Sequence, residues 1–148
     1  MFHAATKKVD TVKNLSSLKD IPSIEGYQDI KLTYVEWKLI GFADAKQENL
    51  KMAEPESERC YRLLFKEDNT LSGMSSSNEL FGTYETSSEF SIKINIYAMT
   101  EINELYDGRL YIECLNNVKT FSMTEKGLAL YYDSNNKFLL FKPLVSEE

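Results

Sequence analysis

Apolar and polar residues alternate through the middle of the chain. In EFSIKINIYA, residues 89–98, the apolar side chains that share one side are Phe90, Ile92, Ile94, Ile96 and Ala98. A period of two residues is typical of a half-buried β-strand, and five repeats leave little room for a helix. Val35, Trp37 and Leu39 alternate with charged residues in the same way. The pattern predicts a strand at both places.

One segment has a helical period instead. Its apolar residues recur at a spacing that draws a stripe along one helix face: Leu110, Tyr111, Cys114, Leu115 and Val118. This spacing predicts a helix over about residues 107–119, with Asp107 as its N-cap. Elsewhere, short apolar runs alternate with turn residues every 8–12 residues or so, without a strand–helix–strand rhythm. The chain is therefore predicted to be a mainly β, largely antiparallel domain with one helix.

The first 30 residues differ from the rest. They mix Ser, Asp, Pro and Gly with isolated apolar residues and have no sustained period. We interpret residues 1–30 as a polar tail or linker with one helical turn at Leu15–Leu18, and residues 31–148 as the domain. A chain of 148 residues with 43% hydrophobic residues has enough apolar material for one core.

The stretch SGMSSSNELFGTYE, residues 72–85, raises the question of catalysis. Two glycines bracket three serines and an asparagine, which suits either a nucleophile loop or a β corner. A serine nucleophile needs a base within hydrogen-bond reach, and the single histidine, His3, lies in the predicted tail. Gly73 and Gly82 permit close backbone approach, and Asn78 suits a corner where its amide caps free backbone groups. We predict a structural role and no enzyme activity.

Other chemistry finds little support. One histidine and two cysteines give no zinc spacing, and no phosphate-binding glycine loop is present, so no metal and no cofactor are predicted. Cys60 and Cys114 fit one disulfide or two separate buried thiols equally well. Glu101 and Glu104 form a carboxylate pair, for which we favour a helix-entry role over acid–base catalysis.

Charge and hydropathy limit the partners. The net charge of −6 argues against nucleic acid. No apolar run approaches the 18 or so residues of a membrane span, so no transmembrane segment is predicted. No apolar signal core follows Met1, which fits a cytosolic protein or a chain that lacks its export signal.

The order of several short motifs resembles the META domain, the HslJ-like family of small bacterial envelope proteins. The motifs lie within residues 35–142: Trp37-Lys38-Leu39, Leu64-Phe65, Asp68-Asn69, Gly73 with Asn78, Gly82 with Tyr84, Leu128 with Leu130, and Leu140-Phe141. The resemblance implies a single antiparallel sheet, strongly curved into a partly open barrel or sandwich with the helix packed at one side, and no catalytic residues. It also implies an envelope location, in the periplasm or as an outer-membrane lipoprotein, with residues 1–30 as the tether. The family's cysteines are replaced by Ser77 and by residues near Glu101.

Two functions compete at this point. The first is a non-enzymatic monomeric domain that binds a protein, a peptide or a surface component. The second is a carrier of a small apolar ligand at the mouth of the curved sheet. The candidate ligand-binding residues are Trp37, Tyr84, Phe90, Tyr97 and Tyr132.

Overall fold

A computed structural model describes residues 15–88 and 90–144 of the chain. Within these residues it contains one α-helix, α1 (Gly108–Asn116), short 3-10 turns at Leu18–Asp20 and Tyr27–Asp29, and ten strands. The strands are β1 (Leu15–Ser17), β2 (Glu36–Asp44), β3 (Asn49–Met52), β4 (Arg62–Phe65), β5 (Thr70–Met74), β6 (Glu79–Ser87), β7 (Ser91–Met99), β8 (Thr120–Thr124), β9 (Gly127–Asp133) and β10 (Lys137–Leu144). Within the described ranges, no helix is long and apolar enough to cross a membrane.

All the strands belong to one antiparallel sheet. Their order is β1-β3-β2-β10-β9-β8-β7-β6-β5-β4, and a further pairing of β4 with β2 at Trp37↔Leu63 closes the ring between these two strands. The result is a partly closed ring and not a regular barrel. The predicted fold class, mainly β with one curved antiparallel sheet and one helix, is confirmed.

The ring is weakest between β7 and β8. These strands share a single residue pair, Ser91↔Thr120, whereas β6 and β7 pair along their whole length. Helix α1 packs against β7 and β9 on this side of the ring. Most of the β7 edge is therefore covered by a helix and a connecting segment, and not by a strand.

The main core fills the inside of the ring. Its largest side chains have no solvent exposure: Trp37, Tyr61, Phe65, Tyr111 and Phe141. Complete burial of a phenylalanine contributes about 1.5–3 kcal/mol relative to leaving it exposed. Alternation produces this core in β6, where Leu80 and Tyr84 face inward while Glu79 and Glu85 face solvent.

A second apolar cluster lies on the outer face of the sheet. It contains Ala43, Leu50, Ala129, Phe138 and Leu140. Strands β9 and β10 are thus apolar on both faces, which explains why their sequences show continuous runs such as FLLF instead of alternation.

The start of the described chain covers this outer cluster. Leu15–Ser17 pairs with β3, and Leu18 and Ile21 pack against the cluster. The backbone N–H of Ile24 donates to the carbonyl of Glu125, 2.7 Å away. Residues 15–30 therefore pack on the sheet where the sequence suggested a tail, because the outer face needs an apolar cover. A strand, and not a helical turn, begins at Leu15. Residues 1–14, the rest of that predicted tail, lie outside the described residues.

The predicted helix is shorter than expected. It runs from Gly108 to Asn116 instead of over residues 107–119, although Val118 beyond its end is buried as its stripe position suggested. Asp107 stands at the N-cap position but makes no side-chain cap. Its carboxylate instead accepts hydrogen bonds from Lys51 Nζ at 2.8 Å and from the Glu54 backbone N–H at 3.0 Å.

Strand β7 departs from the predicted alternation at both ends. Its register with β6 shifts by one residue, so that Ile96 pairs with Gly82 but Ala98 pairs with Phe81. This bulge turns Ala98 to the exposed face, contrary to the prediction that it shares a side with Ile96. Phe90 precedes the strand with a positive φ of 65° and is also exposed, with its ring edge-on to Phe121.

Candidate functional site

A polar cluster joins two connections that are distant in sequence. We call Ser75, Ser76, Asn78 and Glu104 the Glu104 cluster. Its first three members form the turn between β5 and β6, and Glu104 lies in the connection between β7 and α1. The Glu104 carboxylate accepts hydrogen bonds from Ser75 Oγ at 2.7 Å, Ser76 Oγ at 2.8 Å and Asn78 Nδ2. Three neutral donors thus surround one carboxylate.

The amide of Asn78 also holds the backbone of the second connection. Its Nδ2 donates to the Ile102 carbonyl at 2.7 Å, while its Oδ1 accepts from the Ile102 N–H at 2.8 Å and from Thr100 Oγ1 at 2.7 Å. Asn78 is almost fully buried, with 1% of its surface exposed. The expectation that this amide caps free backbone groups at a corner is confirmed.

Ser76 adds a further anchor to the same connection. Its Oγ accepts a hydrogen bond from the Leu105 N–H at 2.8 Å. Both Ser76 Oγ and the Glu104 carboxylate lie against Gly108, where any Cβ would overlap them. Glycine is therefore required at the first residue of α1, and the negative charge of Glu104 lies near the helix N-terminus, where the helix dipole favours it.

The cluster keeps Glu104 ionised. Burial raises the pKa of its carboxyl, but hydrogen bonds from Asn78, Ser75 and Ser76 outweigh that effect and leave the pKa below its usual value. Ser75 has no solvent exposure, so its hydroxyl is not accessible to a substrate from solution. In the part of the chain that the structure describes, no group of three His, Cys, Asp or Glu residues is arranged to hold a metal ion.

The connection that the cluster anchors carries large apolar side chains in solvent. We call residues 97–110 the 97–110 patch, after its exposed members Tyr97, Met99, Ile102, Leu105, Tyr106 and Leu110. Tyr97 is 63% exposed, Ile102 is 61% exposed and Tyr106 is 76% exposed. The outward face of β6 adds Phe81, whose neighbour across the ladder is Ala98. Several large apolar side chains exposed along one stretch of chain indicate a candidate interaction site.

A groove of about 550 Å³ borders the patch and shares Met99 and Ile102 with it. Met99, Ile102 and Ile112 supply apolar walls, and Glu101, Arg109 and Glu113 supply charged ones. Asn78 and Glu104 also line it, so the groove and the polar cluster are continuous.

Three of the five predicted ligand-binding residues lie in or against the main core, and the other two are exposed. Trp37 is buried and donates its indole N–H to the Leu32 carbonyl at 2.9 Å. Tyr84 is buried, and its hydroxyl donates to the Lys66 carbonyl at 2.6 Å. Tyr132 is half-buried and hydrogen-bonded to Cys114. Phe90 and Tyr97 are exposed, near opposite ends of β7. Of the five, Tyr97 alone belongs to the 97–110 patch.

A second groove, of about 380 Å³, opens on the outer face of the sheet. It lies beneath the segment from Leu18 to Ser23 and is lined by Ala129, Tyr131, Phe138 and Leu140. The Lys126 ammonium at its rim donates to the Ile21 carbonyl at 2.6 Å.

Both cysteines are free and buried. The Cys60 thiol donates to the Ser76 carbonyl at 3.2 Å, which links it to the Glu104 cluster. Burial raises the pKa of the Cys114 thiol to about 11. Of the two alternatives that the sequence left open, separate thiols are present.

Comparisons with known proteins address the fold. No protein-family model and no curated protein matches the chain. A solved protein shares its fold. This protein, described as a DUF4847 family protein from Bacteroides vulgatus ATCC 8482, has a crystal structure at 1.00 Å resolution. The TM-score is 0.57 at 17% sequence identity, with 82% of this chain and 100% of that chain covered. Likeness at this identity shows the fold alone, and the resemblance to META domains stays a prediction.

Sequence reasoning missed the partner of the serines. The sequence suggests a pair of Glu104 with Glu101, whereas Glu104 is hydrogen-bonded to the turn 26–29 residues earlier in the chain. Glu104 lies in the EINELY stretch, residues 101–106. Its apolar residues, Ile102, Leu105 and Tyr106, have helical spacing, yet the structure, which describes this whole stretch, contains no helix there, so the pattern alone does not reveal the contact with the turn.

Proposed function

We propose that this protein is a non-enzymatic binding domain that captures a segment of another polypeptide on the 97–110 patch. The observation that carries the proposal is the combination of an exposed apolar connection with a buried polar cluster that fixes its backbone. Ile102 and Leu105 are both anchored through their backbone N–H groups, while their side chains stay in solvent.

Folding stability alone does not account for this arrangement. An apolar side chain that remains in water contributes little to folding, whereas burying a large one contributes about 1.5–3 kcal/mol. A connection without regular secondary structure would ordinarily be free to bury such residues or to carry polar ones. A binding surface benefits instead, because a segment that is already ordered loses less conformational entropy when a partner docks.

The candidate serine nucleophiles give little support to an enzymatic function. Of the three serines between Gly73 and Asn78, Ser75 and Ser76 are buried and hydrogen-bonded to Glu104, and Ser77 is half-buried. We place the binding domain in the cell envelope, on the strength of the sequence resemblance to META domains.

Selection of peptides from a random displayed library tests the proposal. Peptides enriched on the wild-type protein are expected to lose at least tenfold in affinity for Ile102→Ser and for Tyr106→Ser. Tyr34→Ser is the matched control, because Tyr34 is 78% exposed and lies outside the patch. Enriched peptides that bind both patch variants as tightly as they bind the wild type would refute the proposal.

The second candidate function is the carrier of a small apolar ligand, which the sequence suggested at the mouth of the curved sheet and for which we propose the outer-face groove instead. The observation in its favour is the apolar lining under the Leu18–Ser23 segment, since the inside of the ring is filled by aromatic side chains. Titration with decanoate, followed by methyl chemical shifts, tests it. Saturable shifts at Ala129 and Leu140 would support the carrier, and shifts confined to the 97–110 patch would count against it.

A further inference from the structure

The groove that borders the 97–110 patch is lined by acidic side chains as well as apolar ones. It is lined by one basic residue, Arg109, and by three acidic residues, Glu101, Glu104 and Glu113. Glu104 stays ionised because the Glu104 cluster lowers its pKa. The groove therefore has a net charge of about −2 at neutral pH.

Two of these carboxylates are available to a partner. Glu101 and Glu113 are exposed, and the ion pairs within the described residues, Lys51–Asp107 and Arg62–Glu36, use neither of them. The Glu104 oxygens, by contrast, are occupied by the serines and Asn78. Glu101 and Glu113 are thus the carboxylates that a positively charged side chain of a partner would contact.

The backbone of β7 adds a hydrogen-bond donor and acceptor, the N–H and C=O of Met99, at the same groove. Thr100 N–H donates to the Glu79 carbonyl, so the adjacent pair, Leu80↔Met99, is a non-hydrogen-bonded pair of the ladder. The N–H and C=O of Met99 therefore point away from β6, and Met99 is one of the residues that line the groove. Within the described residues no strand pairs with this end of β7, although α1 covers much of the rest of its edge, and unpaired backbone groups at a strand edge pair with an extended peptide backbone.

We propose that the groove takes an extended, basic peptide segment, which pairs with Met99 and places a lysine or arginine side chain beside Glu101 and Glu113. Apolar side chains on the same segment pack against Ile102 and Ile112. This inference rests on the proposed function and specifies the chemical class of its partner. Charge complementarity selects a cationic segment over a neutral or acidic one.

Terminally blocked, fluorescein-labelled hexapeptides of alternating valine and lysine, or of alternating valine and glutamate, provide the probes. Fluorescence anisotropy is expected to show saturable binding of the Val–Lys peptide and at least tenfold weaker binding of the Val–Glu peptide. Raising the salt concentration from 50 to 300 mM should weaken the Val–Lys complex several-fold, because exposed charges are screened.

The double variant Glu101→Gln/Glu113→Gln is expected to weaken Val–Lys binding about fivefold, since each exposed ion pair contributes little. The control is Glu48→Gln/Glu67→Gln, which removes the same charge at two exposed glutamates outside the groove. Equal weakening by both double variants, or no binding of the Val–Lys peptide, would overturn the inference.

The selected peptides separate this inference from the proposed function. Peptides that depend on Ile102 but have no excess of lysine or arginine would overturn the basic partner and leave polypeptide binding intact. Peptides that do not depend on Ile102 or Tyr106 would overturn both.

Discussion

Replacing Asn78 by alanine removes the link between the β5–β6 turn and the β7–α1 connection. The amide makes four hydrogen bonds, two through Nδ2 to Glu104 and Ile102 and two through Oδ1 from Thr100 and Ile102. Each such bond contributes about 1 kcal/mol net, and a buried group left without a partner costs about 1–3 kcal/mol. Water can replace part of the loss at the partly buried partners, so we expect Asn78→Ala to lower the free energy of unfolding by about 3 kcal/mol. That is a large share of the roughly 5–15 kcal/mol typical of a folded domain.

Urea denaturation with linear extrapolation measures the change. Asn103→Ala is the matched control, because Asn103 is an exposed asparagine in the same connection. We expect the control to stay within about 0.5 kcal/mol of the wild type. A loss below about 1 kcal/mol for Asn78→Ala, or equal losses for the two variants, would refute the idea that the amide anchors the connection.

Three further predictions concern the cluster and the thiols. The folded-state pKa of Glu104 is lowered, so its ionisation stabilises the fold above the unfolded-state pKa of about 4.3 and this contribution is lost as pH falls through the folded-state pKa. The difference in unfolding free energy between wild type and Glu104→Gln should therefore shrink between pH 7 and pH 3, and a constant difference would contradict the assignment. Gly108→Ala would stabilise an ordinary exposed helix by up to about 1 kcal/mol, but here the new Cβ overlaps Glu104 and Ser76, so thermal and urea unfolding should show a loss of about 1–3 kcal/mol. Cys60 and Cys114 should react slowly with Ellman's reagent at pH 8 in the folded protein and completely in urea, and a count of no free thiols in urea would indicate a disulfide.

The fold was largely predictable because alternation is a local signal. Leu80, Tyr84, Ile92 and Ile94 all face the core as a two-residue period requires. The bulge at Tyr97 was not predictable in the same way. An extra residue in one strand is defined by the partner strand, and nothing in the sequence of β7 alone specifies where the register with β6 shifts.

The N-terminal segment shows a different limit. Leu18 and Ile21 are isolated apolar residues among polar ones, which resembles a linker. Their role follows only from the outer face of β9 and β10, whose apolar residues could not be assigned to a face because those strands are apolar on both. A segment that covers a distant surface needs few apolar residues and no period of its own.

The candidate site was predictable in part. The corner role of Asn78 followed from its position between two glycines and from the hydrogen-bonding habits of asparagine. Its partner was not predictable, because only the closed sheet and the path of the β7–α1 connection bring Glu104 to this turn. The exposure of Ile102 and Leu105 also required the structure, since apolar residues in sequence are ordinarily assigned to a core.

Amide hydrogen exchange of the β7–α1 connection tests the central claim most directly, because that claim is a rigid backbone beneath exposed apolar side chains. The N–H groups of Ile102 and Leu105 donate to Asn78 Oδ1 and Ser76 Oγ and should be protected. Asn103, between them, has no such acceptor within the described residues and should exchange fast. In Asn78→Ala, Ile102 should lose its protection while the amides of β10 keep theirs. Exchange of Ile102 and Leu105 as fast as that of Asn103 in the wild-type protein would contradict the account.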